Sequence, residues 1–401
     1  MKNILKTKTL LFLALCTISS NLMSAETLVD AFKNAKFSGK LKSFYYSKDF
    51  NYNDDSTWAN GGNLNMLTDD YYGLKFGANL QTSHIFDSKN NGNLNKLDIQ
   101  GSNLNEAYLM YTYKNTTFKG GRQDLVSPLS QNSKSDIITD SYEAYALINT
   151  DLPNTVLVLG HIAKYMPQYN STGNIGKYDQ IQNVVGVKNA KAYTFILHNE
   201  SIKNLNINFQ LGTSTKFHKL AYFDGTYNFN GNLKSYLSAQ MYYTKWDDIS
   251  KHPAPFLAIQ SDQSNSLIGL KFGANIKNID LSAAVTKTGK TGLVWHGYGD
   301  GSYYQYTATS QSKGKLAFEE DTIAYKVSAS TSIKNFNTKI SYANFNVGAI
   351  NSDLDEINLS LGYKFNGSFK GLNTSIDYSI LNYENNINDN NSLEIKVIYS
   401  F

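Results

Sequence analysis

From about residue 36 to the end of the chain, apolar and aromatic side chains recur at every second position, the period of a strand with one greasy face. Leu74, Phe76, Ala78 and Leu80 alternate, as do Ala107, Leu109, Tyr111 and Tyr113, then Ile268, Leu270, Phe272, Ala274 and Ile276. The residues between them are mostly Asn, Ser, Thr, Lys, Gly and Asp. The final stretch, "NSLEIKVIYSF", sets Leu393, Ile395, Val397, Tyr399 and Phe401 on one face. An apolar, aromatic-ended strand at an open sheet edge invites aggregation, so the edge must be closed or the face covered. Segments of about ten alternating residues separated by turns are the signature of a transmembrane β-barrel strand. A soluble β-sandwich or β-helix is the competing reading; aromatic strand ends and a terminal Phe fit a membrane girdle better.

The turns order the segments. Lys-Asn recurs at 114–115, 203–204, 277–278 and 334–335, and Asn230-Gly231 adds another tight-turn pair, each between two alternating runs. The remaining connections are mostly long and polar: 47–57, 83–102, 123–140, 165–190, 246–264, 288–319 and 383–391. Short turns alternating with long loops predict short periplasmic turns and long outer loops. All five prolines fall in connections. The expectation is an all-β fold, a transmembrane antiparallel β-barrel with eighteen strands: 36–46, 57–67, 70–82, 103–113, 116–123, 139–149, 154–164, 190–199, 203–213, 218–229, 232–245, 264–276, 278–287, 319–332, 335–346, 354–365, 371–382 and 392–401. Sixteen strands is the alternative. The region 165–199 is the weakest, because "QIQNVVGV" reads as another candidate strand. The last strand is expected to pair with the first, with Phe401 at the membrane boundary.

The front end reads as an export signal. Lys2, Lys6 and Lys8 precede a short apolar run from Leu10 to Leu15, and "MSA" follows before Glu26, which predicts a signal peptide over 1–25. Residues 26–35 then form a short periplasmic segment with Leu28, Ala31, Phe32 and Ala35 at helical spacing, either a plain tail or a pore plug, and 36–401 the barrel. Cleavage after Ala25 removes the only cysteine, Cys16, and three lysines, leaving 34 basic against 33 acidic residues. A disulfide framework, a thiolate metal site and a basic nucleic-acid face are thereby excluded.

A barrel this wide leaves a wet lumen. Alternation assigns Lys40, Lys42, Lys75, Lys271, Lys326, Lys339, Lys364 and Lys396 to its inner face, with Glu106, Glu143, Asp224, Asp377 and Glu394 as the inward acids. Charges line any wet pore; rings of them also set ion preference. The stretch "TTFKGGRQDLVSPLSQNSKSDIITD" holds Arg122, the only arginine, and opens the third long loop. Folded inward, that loop would bring Asp124, Lys134, Asp136 and Asp140 toward Lys119 and Arg122. Phe118 and Gly120 facing out would put Arg122 out as well; a bulge at Gly120-Gly121 is expected to turn it inward.

"GGRQDLVSPL" followed by an Asp-containing loop, within a predicted eighteen-strand chain ending in Phe, resembles the OprD-type outer-membrane porins. "ETLVDAFKNAKFSGKLKSFYYSKD" looks like their epsilonproteobacterial members. The resemblance implies passive diffusion of small polar solutes and ions, often amino acids, peptides or carboxylates, through the outer membrane of a Gram-negative bacterium, with loop 123–140 as the constriction. Known members guide carboxylates with a ladder of arginines, and one arginine cannot make a ladder; lysines lack its bidentate fork. The implied partners are outer-membrane lipid, lipopolysaccharide and the barrel-insertion machinery, which reads the ending that includes Tyr399 and Phe401. Either a monomer or a homotrimer fits.

The chain is not expected to be an enzyme or to need a cofactor or metal. The six histidines are scattered with no ligand spacing, and no nucleophile, Walker or dinucleotide motif appears. "GYGDGS" at 297–302 and "ENNINDNN" read as solvated loops. A surface adhesin acting through long outer loops rich in Tyr and Asn is the alternative function.

Overall fold

The structure, a computed structural model, describes residues 24–50, 53–89, 97–131, 136–170, 172–231, 233–299, 303–307, 313–348, 353–384 and 388–401. Eighteen antiparallel strands form one closed wall: β1 (Lys36–Phe50), β2 (Asn53–Leu67), β3 (Leu74–Lys89), β4 (Gly101–Tyr113), β5 (Thr116–Gln123), β6 (Ser141–Asn149), β7 (Thr155–Met166), β8 (Ala192–Asn199), β9 (Leu205–Ser214), β10 (His218–Asn228), β11 (Tyr236–Trp246), β12 (Ser264–Ile276), β13 (Ile279–Thr288), β14 (Thr322–Ile333), β15 (Phe336–Val347), β16 (Leu354–Lys364), β17 (Leu372–Tyr383) and β18 (Asn390–Ser400). Each strand pairs with its neighbours in sequence. The wall closes where β1 pairs with β18 from Lys40↔Ser400 to Phe50↔Asn390. Gly39 and Phe401 finish that seam by exchanging backbone hydrogen bonds of 3.0 and 3.1 Å. All eighteen expected segments are strands. The main differences in extent are at β1, β2 and β3, which run on into the outer loops, and at β3 and β11, which each start four residues later than expected. "QIQNVVGV" is not a strand: Asp179–Gln180 pairs briefly with β7, and Ile181–Val184 is a helical turn with Ile181 buried.

Three of the expected tight turns, 114–115, 277–278 and 334–335, are two-residue hairpins, whereas Lys203-Asn204 ends the five-residue connection 200–204 and Asn230-Gly231 lies within the longer connection 229–235. Lys277 and Asn278 both take positive φ, 49° and 72°, the pair of left-handed residues that a two-residue hairpin of matching twist needs. Lys114 and Lys334 also sit at positive φ. Ahead of β1 lies a helix, α1 (Leu28–Lys33), capped by Thr27, whose hydroxyl accepts from the Asp30 N–H at 3.1 Å. Its Ala31 carbonyl accepts from the Asp69 N–H, and Phe32 lies 6.2 Å from Phe76, so α1 packs against the turn between β2 and β3.

Alternation divides the wall into two faces. On β11, Ser238, Gln240, Tyr242 and Thr244 are buried, while Leu237, Met241 and Tyr243 between them are exposed. The same division holds on β12, β13, β15 and β16, so the outside is a band of exposed Leu, Ile, Val, Phe and Tyr. That inverts the usual rule for proteins in water and matches a lipid-facing surface.

Burial on the inner face comes largely from loops. The described residues of the loops 124–140 and 289–321 fold into the barrel. One cluster joins Leu129 of the first and Val294, Tyr303 and Phe318 of the second to Leu220, Tyr242, Leu267, Ala343 and Phe345 of the wall. A second joins Tyr298, Phe217 and Trp246 to Ile181, Val185 and Leu257 of two further loops. A third gathers Leu97, Ile99, Ile137 and Ile138 over Phe44 and Tyr46 of β1.

Candidate functional site

The loop 124–140 is the organising feature of the lumen. It leaves β5 as a small hairpin, Val126–Ser127 against Ser130–Gln131, and its edge is extended in parallel by Tyr298–Gly299 of the second inward loop. At its tip the Leu129 N–H donates to Gln210 Oε1 on β9 at 3.0 Å, and its carbonyl accepts from the Tyr298 N–H at 2.9 Å. On its return, Gln81 of β3 is bound twice: its Nε2 donates to the Thr139 carbonyl at 2.9 Å, and its Oε1 accepts from the Thr139 N–H at 3.0 Å. Lys42 of β1 donates to the Asp136 and Ile137 carbonyls at 2.7 and 3.1 Å. The loop is thus pinned to the wall at β1, β3 and β9. These are buried hydrogen bonds, the kind that costs most to leave unmade.

The charged residues expected to line the lumen divide into groups. Asp136 is the hub of one: besides Lys42 at its carbonyl, its carboxylate accepts from Gln168 at 2.9 Å and lies 3.5 Å from the Lys313 ammonium. Asp140 accepts from the Tyr165 hydroxyl at 3.2 Å. Glu106 accepts from the Asp124 N–H at 3.0 Å, which fixes the start of the loop. Lys119 sits 3.8 Å above the Tyr108 ring, a desolvated cation on an aromatic face. Lys396 and Glu394, neighbours on the inner row of β18, pair at 3.0 Å. Lys75 lies 3.8 Å from Asp70 near the short-turn end. Lys40, Lys339 and Lys364 are exposed on the inner row close to the short turns.

Lys271 and Lys326 stand apart from this group. The second inward loop covers them: Lys271 lies 5.8 Å from the Tyr304 ring, and Lys326 donates to the Tyr306 carbonyl. Lys134 lies outside the described residues.

Two expectations are corrected. The ladder passes through Gly120-Gly121 with no shift of register on either side, so the bulge expected there is absent. Arg122 keeps the phase of Phe118 and Gly120 and stands in one cross-strand row with Ala107 and Glu143. That row faces away from the buried inner row of Tyr142 and Ala144. Glu143 is therefore also on the outer face, where its carboxylate pairs with Lys164 at 3.0 Å. The Arg122 guanidinium lies 4.4 Å from the Tyr178 ring, and the Tyr178 hydroxyl donates to the Asn105 carbonyl at 2.6 Å. Burial pushes the Tyr178 phenol up to about 12, so it remains a donor. Gly121 answers a different need: with φ at +123°, an added Cβ would lie 2.4 Å from the Ala107 carbonyl oxygen.

The main site feature missed from sequence is the loop 289–321. Trp295, Tyr298, Tyr303 and Phe318 carry no period, and their partners lie on strands far away in sequence. "GYGDGS" carries no signal that Tyr298–Gly299 pairs with the loop 124–140; its residues 300–302 lie outside the described residues.

No family model matches the chain, and no curated protein matches its sequence. Among solved structures, Acinetobacter baumannii OccAB1 superposes with a TM-score of 0.78 at 13% identity, over 94% of this chain and 99% of that one. The fold is that of these barrels. Pseudomonas aeruginosa OccK8 (OprE) aligns at a TM-score of 0.73 and 14% identity, over 92% of this chain and 98% of its own. Pseudomonas aeruginosa OpdK, solved with vanillate, aligns at 0.74 and 13%, over 92% and 99%.

Proposed function

We propose that this chain is a passive diffusion pore of a Gram-negative outer membrane, passing small polar solutes and ions. The observation that carries the reading is the loop 124–140, drawn across the inside of a wide closed barrel and tied to β1, β3 and β9. Such a loop narrows a lumen and sets its charge. The resemblance of "GGRQDLVSPL" to the OprD-type porins supports this, and the stretch 26–49 points to their epsilonproteobacterial branch. The export signal supports an outer-membrane location after cleavage at Ala25, with the terminal Phe read by the insertion machinery.

OpdK was solved with vanillate, a small aromatic carboxylate. A basic inner wall suits such anions, but here the cations are lysines, and the one arginine lies outside the inner row. Point charges attract carboxylates without gripping them in a fixed geometry. The reading is therefore a broad pore with a mild anion preference, in which the exposed Lys40 and Lys339 act on the solute directly, the buried Lys42, Lys75, Lys119 and Lys396 add positive potential from the wall, and Glu106, Asp124, Asp136 and Asp140 shape the constriction. No catalytic or cofactor role is proposed.

Single-channel recording of the refolded mature protein in a planar bilayer tests this. Discrete, reproducible steps are expected, with a reversal potential in a salt gradient on the anion side. K40Q/K339Q should move that potential toward the cation side while leaving the loop ties intact. A folded, closed barrel that gives no steps would sink the reading.

A further inference from the structure

The outer face carries a charge pattern that the pore reading does not use. On the outward rows at the long-loop ends, β5 to β13 present Arg122, Lys164, Lys219, Lys245 and Lys287, and Lys191 continues the outward row of β8 by one residue. One carboxylate, Glu143, stands among these strand ends; Asp247, in the loop after β11, lies 3.8 Å from Lys219. Lys219 and Lys245 are directly opposite each other in the ladder. Like charges so placed repel. Lys191 and Lys287 are exposed and enter no ion pair among the described residues.

The rest of the rim has the opposite sign. Among the described residues, Asp49, Asp54, Asp87 and Asp355 take the corresponding outward positions on β1, β2, β3 and β16, with Lys89 as the one cation on those rows. Asp49 and Asp54 are themselves a direct cross-strand pair. In an eighteen-strand ring, β1/β2 and β10/β11 lie at opposite ends of a diameter, so two like-charged pairs of opposite sign face away from each other.

We propose that the cationic arc from β5 to β13 binds the phosphate groups of the outer-leaflet glycolipid; this rests on the outer-membrane reading above. Directly below the arc on the same strands are exposed apolar residues, Tyr193, Tyr243, Ile268 and Val285. Acyl chains cover these, and the lysine stems reach up from the apolar band to the headgroup level. Lys219 has Asp247 nearby and Lys245 donates to the Asp262 carbonyl, but no single anion lies between the two ammonium groups; a phosphate there would offset the charge of both. The acidic arc does not share this lipid contact.

The test compares retained lipid by native mass spectrometry of the refolded barrel with bisphosphorylated lipid A and with its dephosphorylated form. Wild type should retain the phosphorylated lipid preferentially. K219Q/K245Q/K287Q should hold it roughly tenfold more weakly, since each cation near an anionic headgroup contributes attraction that salt screens. D49N/D54N should retain it as wild type does, and inorganic phosphate at millimolar concentration should not displace it. All three barrels should give the same channel conductance, because none of these residues is on the inner face. Equal retention of both lipids, an unchanged triple variant, or displacement by inorganic phosphate overturns the lipid arc. A triple variant that changes oligomeric state with lipid retention unchanged also overturns it, in favour of a second copy pairing basic arc to acidic arc. If the wild-type protein enters no bilayer at all, the membrane reading fails first and the arc with it.

Discussion

At the scale of single residues, Gly121 shows how little side chain some positions of a barrel tolerate. Its φ of +123° puts the site of a Cβ against the neighbouring strand's carbonyl oxygen, 2.4 Å away. Gly121→Ala should therefore lower stability by about 1–3 kcal/mol, the usual cost of holding a non-glycine residue in such a conformation. A shift of the urea unfolding midpoint to lower concentration in lipid vesicles is the measurement, with Gly231→Ala, where an added Cβ meets nothing within 4 Å, as the control. Residue scale is also where sequence reading was least reliable. Period-two counting gave Arg122 its true phase, and the expected bulge at Gly120-Gly121 reversed it. The bulges of this wall are instead at Trp58/Ala59, Asn79/Leu80 and Glu143/Ala144. No local residue type marks those places, because a bulge is set by both strands of a pair.

At the scale of elements, the strands were legible and the inward loops only half so. The outer face of a barrel strand meets lipid along its length, so an apolar residue recurs at nearly every second position apart from the bulges, and all eighteen segments are legible. The segment holding the helical turn Ile181–Val184 resembles a strand because Ile181, Val185 and Val187 share one phase of a two-residue period, but Ile181 and Val185 are instead buried in a cluster with Leu257 and Trp246. The resemblance predicts the inward course of 123–140; composition predicts a polar outer loop over 288–319, whereas its described residues pack inside the barrel. Its fold depends on Leu220, Tyr242 and Phe345, residues that no local pattern connects to it. Replacing 125–138 by a short Gly-Ser link should leave the barrel folded, since the wall's ladder does not pass through the loop. Conductance should rise several-fold and single-channel noise should change, as recorded in planar bilayers. If conductance stays the same, the constriction lies elsewhere, and 289–321 is the next segment to shorten.

At the scale of the whole molecule, closure is the central fact. The seam between β1 and β18 ends in the two hydrogen bonds between Gly39 and Phe401, and the Phe401 ring stacks 6.2 Å from Tyr399. Deleting Phe401 removes both bonds and an aromatic at the membrane boundary. About 0.5–1.5 kcal/mol per lost bond would be expected at equilibrium. Insertion should also slow, read as a smaller fraction of heat-modifiable, folded protein on unheated gels at early times. An unaltered time course would take the terminal aromatic out of the insertion signal.

The seam also joins residues that the ribosome makes at opposite ends of its work. Lys42 is among the first strand residues to emerge, and Glu394 and Lys396 are among the last, yet they stand on adjacent strands beside the loop 124–140. A wall without its last strand already holds the Lys42 and Glu106 ties to the loop but lacks the Glu394–Lys396 pair beside them. The charge lining on this side of the wall is therefore completed only when the last strand meets the first.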